Sequence, residues 1–327
     1  MRALSPFFFH PPAAWSGRAG RLAFGFAAAL LITLFAIQQS FAAPRMVIDS
    51  RGRAVTIAAG DRIVSIGGAV TEILYALGAA DRVIARDSTS LYPSAALEKP
   101  DVGYSRALAP ESVLAMKPDL ILAVEGSGPK EAMDILTKAD VPIVILPEPY
   151  SAAGIAQKIM MIGEAIGESD KARVLAADVE ARAAALAEAV AAIPAAERKR
   201  AVFLMSLAGD RPSAAGAHTA AGAMLVAAGA DNPFAAIEGY KPISPESMVA
   251  AAPDAVVMMT RPGMEAMEPD AVFALPALAA TPAAKTRALI VMDGLYLLGF
   301  GPRMPDAARD LAAALYPERD FSAPATR

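Results

Sequence analysis

A long tract without strand signals limits what this chain can become. From about Ser151 to Ala192 the text AAGIAQKIMMIGEAIGESDKARVLAADVEARAAALAEAV reads as helix, interrupted only near Gly167 and Ser169. Before it, RIVSIGGAVTEILYALGAADRVIARD runs from Arg62 as a β-branched run, a glycine turn, a helix with Ile73, Leu74 and Leu77 apolar, a Gly78 stop and a second β-like run. That is a βαβ unit. LAPESVLAMKPDLILAVEG follows with Pro110 in a first helical turn, Pro118 as a stop and LILAV as a buried strand; KEAMDILTKAD and VPIVILPE add a helix and a strand. After Pro194 the alternation resumes with RAVFLMSL, TAAGAMLVAAGADN, ISPESMVAAAPDAVVMM and ALIVMDG, and ends on the helix PDAARDLAAALYP. Alternation of this kind predicts parallel strands covered by helices on both faces. A helical tract in its middle predicts two lobes rather than one sheet.

The halves also repeat each other. GYSRALAPESVLAMKPDLILA near residue 103 and GYKPISPESMVAAAPDAVVMM near residue 239 each place Pro-Glu-Ser five residues before Pro-Asp and a strand. One βα module used on each side of the tract makes a pseudo-symmetric bilobed protein, although Ser-Pro-Glu is also a common way to open a helix. The expected organisation is an export signal over 1–43, an N-terminal α/β lobe over 44–150, a linking helical tract over 151–193 and a C-terminal α/β lobe over 194–327. A cleft between such lobes, near the carboxyl ends of strands, is where a small ligand binds.

The export signal is read from Arg2, Arg18 and Arg21 without an acid, the apolar run LAFGFAAALLITLFAI, and small residues placed for cleavage after Ala42 or Ala43. A retained membrane anchor is the alternative. Removal would take three of the 30 basic residues and none of the 34 acids, so the mature chain is acidic and unsuited to nucleic acid. With no cysteine, the sequence holds no disulfide, thiolate metal site or lipidated cysteine. A soluble periplasmic protein without a lipid anchor is expected.

Beyond the signal, the chain has one histidine, His218, and seven tyrosines. Few soft or imidazole donors remain, yet a hard ferric ion accepts phenolate oxygen well. Tyr104 is the candidate. A phenol ordinarily ionises near pH ~10, so coordination or a nearby guanidinium must favour the anion. Arg106 lies two residues on and supplies such a guanidinium if the loop is extended. The plainer readings are a half-buried tyrosine and a solvated loop arginine.

The phrases RIVSIGGAVTEILYALG, PDVGYSRALAPESVLAMKPDLILA, SAAGAHTAAGAMLVAAGADN, EGYKPISPESMVAAAPD and GPRMPDAARDLAAALYP carry a resemblance from about Arg62 to Pro317. The chain resembles the helix-linked, class III periplasmic substrate-binding proteins of ABC importers for metal chelates, and most closely the hemin-binding members. The resemblance implies two Rossmann-like α/β lobes joined by a long rigid helix, limited lobe movement, and ferric heme as transported ligand. It also implies, as partners, an inner-membrane ABC permease with its ATPase and an outer-membrane heme receptor system. In that family the tyrosine of the GYxR phrase is the axial iron ligand, which falls on Tyr104. Arg106 then supports the phenolate or a heme propionate. His218 is either a second axial ligand, the ligand of a second heme, or a residue flanking a helix start. Tyr240, at the repeat position of Tyr104, is expected to pack on the porphyrin face. Arg211 and Arg303 are candidate propionate partners by charge. Glu72 matches the acid such proteins present to an arginine pocket on the permease. Its second-lobe counterpart is Ala223, with Glu238 and Glu246 as substitutes on no other ground than charge.

No Gly-x-Ser-x-Gly, Walker loop or Gly-x-Gly-x-x-Gly after a strand is present, and one mature histidine leaves no multi-histidine zinc or manganese site. An enzyme is therefore not expected. A heme-modifying enzyme remains the rival from another class, and corrinoid or ferric-siderophore capture the rival within the binding class.

Overall fold

The computed structural model describes residues 44–207, 211–264 and 268–322, so the export segment expected over 1–43 lies outside the described residues. Residues 44–322 open with a hairpin of β1 (Arg45–Ile48) and β2 (Ala54–Ile57), whose antiparallel register pairs Arg45 with Ile57. The apolar runs then become strands as their composition requires: β3 (Ile63–Ile66), β4 (Val83–Arg86), β5 (Leu120–Val124) and β6 (Ile143–Leu146). Between them lie α1 (Gly68–Ala76), α2 (Pro110–Leu114) and α3 (Lys130–Lys138). The sheet order is β4-β3-β5-β6, all parallel, with β3, β5 and β6 buried along their full length. Burial on both faces explains why these strands read as continuous β-branched and leucine runs.

The helical tract folds as α4 (Ala152–Ile166) and α5 (Ser169–Ala191). Ser151 caps α4 by accepting from the Gly154 amide at 3.2 Å, and Gly167 ends it in the left-handed region at φ 77°. The helices pack closely because Gly163 faces Ala172; a Cβ on Gly163 would stand 2.2 Å from that of Ala172. The far end of α5 leaves the first lobe, and Val190 packs against Gly229 of the second.

The second lobe carries β7 (Ala201–Ser206), β8 (Ser213–Ala215), α6 (Ala220–Ala227), β9 (Tyr240–Pro242), α7 (Pro245–Ala251) and β10 (Ala255–Thr260), then α8 (Pro269–Phe273), α9 (Pro282–Thr286), β11 (Leu289–Asp293), α10 (Gly294–Leu298) and α11 (Met304–Leu315). Its sheet order is β11-β10-β7-β8-β9. The first three strands are parallel, but β8 and β9 join antiparallel, a departure from the all-parallel expectation. Both are three-residue strands beside Pro212 and Pro242, too short to show a period in sequence.

The repeat is structural. Asp119 accepts from the Arg62 amide at 2.9 Å and returns its own amide to the Arg62 carbonyl at 3.0 Å. Asp254 does the same with Arg200, at 2.8 and 2.7 Å. Both Pro-Glu-Ser helices also end on a left-handed residue before proline, Lys117 at φ 51° and Ala252 at φ 42°. Each Pro-Asp thus ties the strand it opens to the first strand of its own sheet.

One apolar core runs from Ile73, Leu74 and Val124 through Ile159, Val179 and Leu186 to Phe203, Met224 and Leu311, so the helical tract is continuous with the interiors of both sheets. The outer faces have separate cores around Ile121 and Ile145 and around Val202 and Val256. Tyr316 closes the shared core. Fully buried, it donates to the Gly229 carbonyl at 2.7 Å and accepts from the Lys199 amide at 2.9 Å. Tyr316→Phe leaves both groups without that partner and is expected to cost about 1–3 kcal/mol. Urea unfolding checks this through a lowered midpoint at unchanged slope; an unchanged midpoint would contradict it.

Candidate functional site

The two sheets point the carboxyl ends of their strands at a common cleft of about 790 Å³. Gly67 after β3, Glu125 after β5 and Glu148 after β6 line it from the first lobe. Met205 of β7, Met259 of β10 and Arg261 just beyond, and Gly294 after β11 line it from the second. This is the position that open parallel sheets reserve for ligands.

Tyr104 and Arg106 stand on a turn whose backbone is pinned on both sides. The Gly103 carbonyl accepts from the Ser88 amide at 2.9 Å, the Ser105 carbonyl accepts from Gly128 at 2.9 Å, and the Leu108 amide donates to the Gly128 carbonyl at 2.8 Å. Within the turn the Ala107 amide donates to the Tyr104 carbonyl at 2.8 Å. Ser105 is buried between them, while Tyr104 is 47% exposed and Arg106 is exposed, and all three line the cleft. The first-lobe wall beside this turn is organised by Asp87. Fully buried, its carboxylate accepts from the Gly67 amide at 2.9 Å, the Thr89 amide at 3.0 Å, the Thr89 hydroxyl at 2.6 Å and the Ser90 hydroxyl at 2.6 Å. Ser88, Thr89 and Leu91 are thereby held as cleft wall.

Tyr240 faces the cleft from the second lobe, its ring edge-on to Phe203 at 6.5 Å. Burial raises its phenol pKa, partly offset by the Ala221 amide and the Thr219 hydroxyl, so it is a neutral phenol at pH 7. Tyr150, just after Glu148, is a third cleft tyrosine, stacked edge-on against Phe300 at 5.2 Å. Burial and the neighbouring Glu148 raise its pKa as well, against a smaller pull from Arg106. Behind Glu148 the ammonium of fully buried Lys158 on α4 pairs with its carboxylate at 2.9 Å, anchoring this wall to the helical tract.

Other expected site residues lie elsewhere. His218 does not line the cleft; its side chain is 81% exposed and its Nε2 lies 3.9 Å from Glu238, consistent with its place just before α6. Arg211 is exposed and outside the lining, with its charge acting on Glu246. Arg303 is not a cleft residue either. Its amide and Nη2 donate to the two carboxylate oxygens of Glu72 at 3.1 and 3.0 Å. Glu72, expected as a permease-docking acid, is 5% exposed with both oxygens engaged within the chain, so it is not an ordinary solvated helix carboxylate. Arg261, Tyr150 and Glu148 were not singled out from sequence. The position of Arg261 at the end of the repeated βα module was the available signal.

Among the described residues no group of three or more His, Cys, Asp or Glu side chains is placed to hold a metal ion, and no helix is long and apolar enough to cross a membrane. The cleft instead offers exposed phenol, two guanidinium groups, Arg106 and Arg261, and apolar walls from Val124, Met205, Met259, Leu295 and Leu298. It suits a flat, largely apolar ligand with anionic substituents.

Comparison with known proteins agrees with this architecture. The chain is similar to the periplasmic heme-binding protein BhuT in complex with two hemes, at 36% identity and a TM-score of 0.73 over 78% of this chain and 98% of that one. It is equally similar to the periplasmic heme-binding protein RhuT from Roseiflexus sp. RS-1 in its apo form, at 36% identity and a TM-score of 0.74 over 79% of this chain and 99% of that one. A further relative is the ABC transporter substrate-binding lipoprotein YvrC of Bacillus subtilis (strain 168), 29% identical over 84% of this chain and 86% of its own length. With residues 63–295 matching the family pattern across both lobes and the tract between them, the chain belongs to the periplasmic binding protein family.

Proposed function

We propose that this protein captures heme in the interlobe cleft and delivers it to an ABC importer. The carrying observation is the pinned turn that presents Tyr104 and Arg106 to a cleft walled by apolar side chains between two parallel sheets. The similarity to two periplasmic heme-binding proteins over nearly their whole length supports the same cargo. Tyr104 supplies its phenolic oxygen to ferric iron on one face of the ring, and coordination to the metal favours the anion there. Arg106 and Arg261 take the propionates by charge-assisted hydrogen bonds. Tyr240 and Tyr150, kept neutral by burial, pack against the porphyrin and offer hydroxyls rather than charge. Burial of the macrocycle at about 25 cal/mol per Å² provides most of the affinity before association costs are subtracted.

The protein carries out binding rather than catalysis in this reading. It is exported to the periplasm, works there in soluble form without a lipid anchor, and takes part in a system that includes a permease, its ATPase and an outer-membrane receptor.

Hemin added to the purified protein is expected to give a high-spin ferric tyrosinate spectrum. Loss of outer-shell partners in metal sites costs about 10–100-fold, so Tyr104→Phe, which removes the ligand itself, should abolish that spectrum and weaken binding by more than about 100-fold. An unchanged spectrum in the variant would overturn the assignment, and preferential uptake of cobalamin over hemin would move the cargo to corrinoids. Arg106→Ala and Arg261→Ala should each weaken hemin by about tenfold or more, the equivalent of one charged hydrogen bond, while keeping the tyrosinate spectrum. Equal affinity in both variants would exclude them as propionate partners. His218→Ala, altering a side chain outside the cleft, should change neither spectrum nor affinity; a spectral change would bring His218 back as a ligand.

A further inference from the structure

Glu72 and Arg303 are 231 positions apart and belong to different lobes, α1 of the first and the residue preceding α11 of the second. Their ion pair is bidentate in effect, with backbone amide and guanidinium each holding one carboxylate oxygen, and Glu72 keeps only a 6% exposed side chain. The guanidinium also lies over aromatic rings from both lobes. Its carbon lies 3.5 Å from the ring centre of Tyr92 and 5.1 Å from that of Tyr296. Arg182 of α5 reaches the same loop, donating to the Pro302 carbonyl at 2.9 Å and to Asp306 at 2.8 Å. First lobe, second lobe and linking helix therefore converge on residues 302–306.

This junction borders the cleft. Tyr92 follows the cleft-lining Leu91, and Tyr296 follows the cleft-lining Leu295. One turn before Glu72 on α1, Gly68 touches Leu295 across the lobes so closely that a Cβ there would lie 2.4 Å from its Cδ1. A break in the ion pair frees both walls at once, because it removes the polar tie beside the apolar one.

We infer that Arg303, gripped by Glu72 and lying over the rings of Tyr92 and Tyr296, is an interlobe clamp that holds the cleft closed and sets how long its ligand stays. Arg303 acts through the lobes and not on the ligand, so it is a positioning residue. The residence-time part rests on the heme reading above; the lobe-closure part does not.

Two measurements test the clamp on Glu72→Gln, Arg303→Lys and Tyr92→Leu, all three keeping the positive charge at residue 303. Hemin release is followed by transfer to excess apomyoglobin. The variants should release about tenfold faster than the parent, an effect on dissociation rather than association, with the iron spectrum unchanged because Tyr104 is untouched. The unliganded protein is also labelled with nitroxides at Leu97→Cys and Val249→Cys, exposed positions on opposite lobes of a chain with no cysteine of its own. The interlobe distance distribution should be narrow in the parent background and broader or longer in the variants. An unchanged release rate or an unchanged distance distribution in all three variants overturns the clamp. If the parent takes up no hemin, the heme reading fails, and the distance measurement alone then decides the clamp.

Discussion

Two sheets can share a ligand only if the segment joining them packs on both, and here that depends on the close contact between α4 and α5 at Gly163 and Ala172. The small pair allows the helices to approach closely enough for α5, 23 residues long, to pack on the first lobe and still reach the second. Because the same apolar core continues from α1 through both helices to α11, a shift of one sheet would open voids in the other. The cleft is thus a consequence of how the interior is filled. Lys158, fully buried in α4, carries that rigidity to the cleft edge through Glu148.

The repeated module places similar backbone on both sides of the cleft and then differs in chemistry. The first copy puts Tyr104 on an open, pinned turn beside a guanidinium. The second puts Tyr240 on a short strand, half-buried against Phe203 and the start of α6. Burial raises the Tyr240 phenol pKa against a small opposing pull from Arg106, which keeps that ring neutral, while the Tyr104 hydroxyl stands open to the cleft. Pseudo-symmetry in the fold therefore gives a cleft with two unlike faces, one open and one half-buried.

Much of this was legible in the residues because it is local. Parallel strands buried on both faces appear as continuous apolar runs, the Pro-Glu-Ser helices announce themselves by proline and acid, and Gly167 marks the joint between α4 and α5. Tyr104, Arg106 and Tyr240 could be found through short phrases for the same reason. What escaped depends on distant contacts. Nothing within the phrase containing Glu72 says that Arg303 lies against it, so an acid read as a docking group is an internal ion pair, and an arginine read as a propionate partner is its counter-ion. Arg261 and Tyr150 reach the cleft only through the register of β10 and β6. Strands β8 and β9 are set by pairing and not by period.

The central claim is that iron in the cleft is held by one oxygen from the first lobe. Crystals grown with hemin and measured at the iron absorption edge locate the metal directly. The account predicts a single dominant iron peak per bound heme contacting the Tyr104 phenolic oxygen, within bonding distance and between the two sheets. An iron peak bonded to Tyr240 or His218, or one outside the cleft, would contradict it.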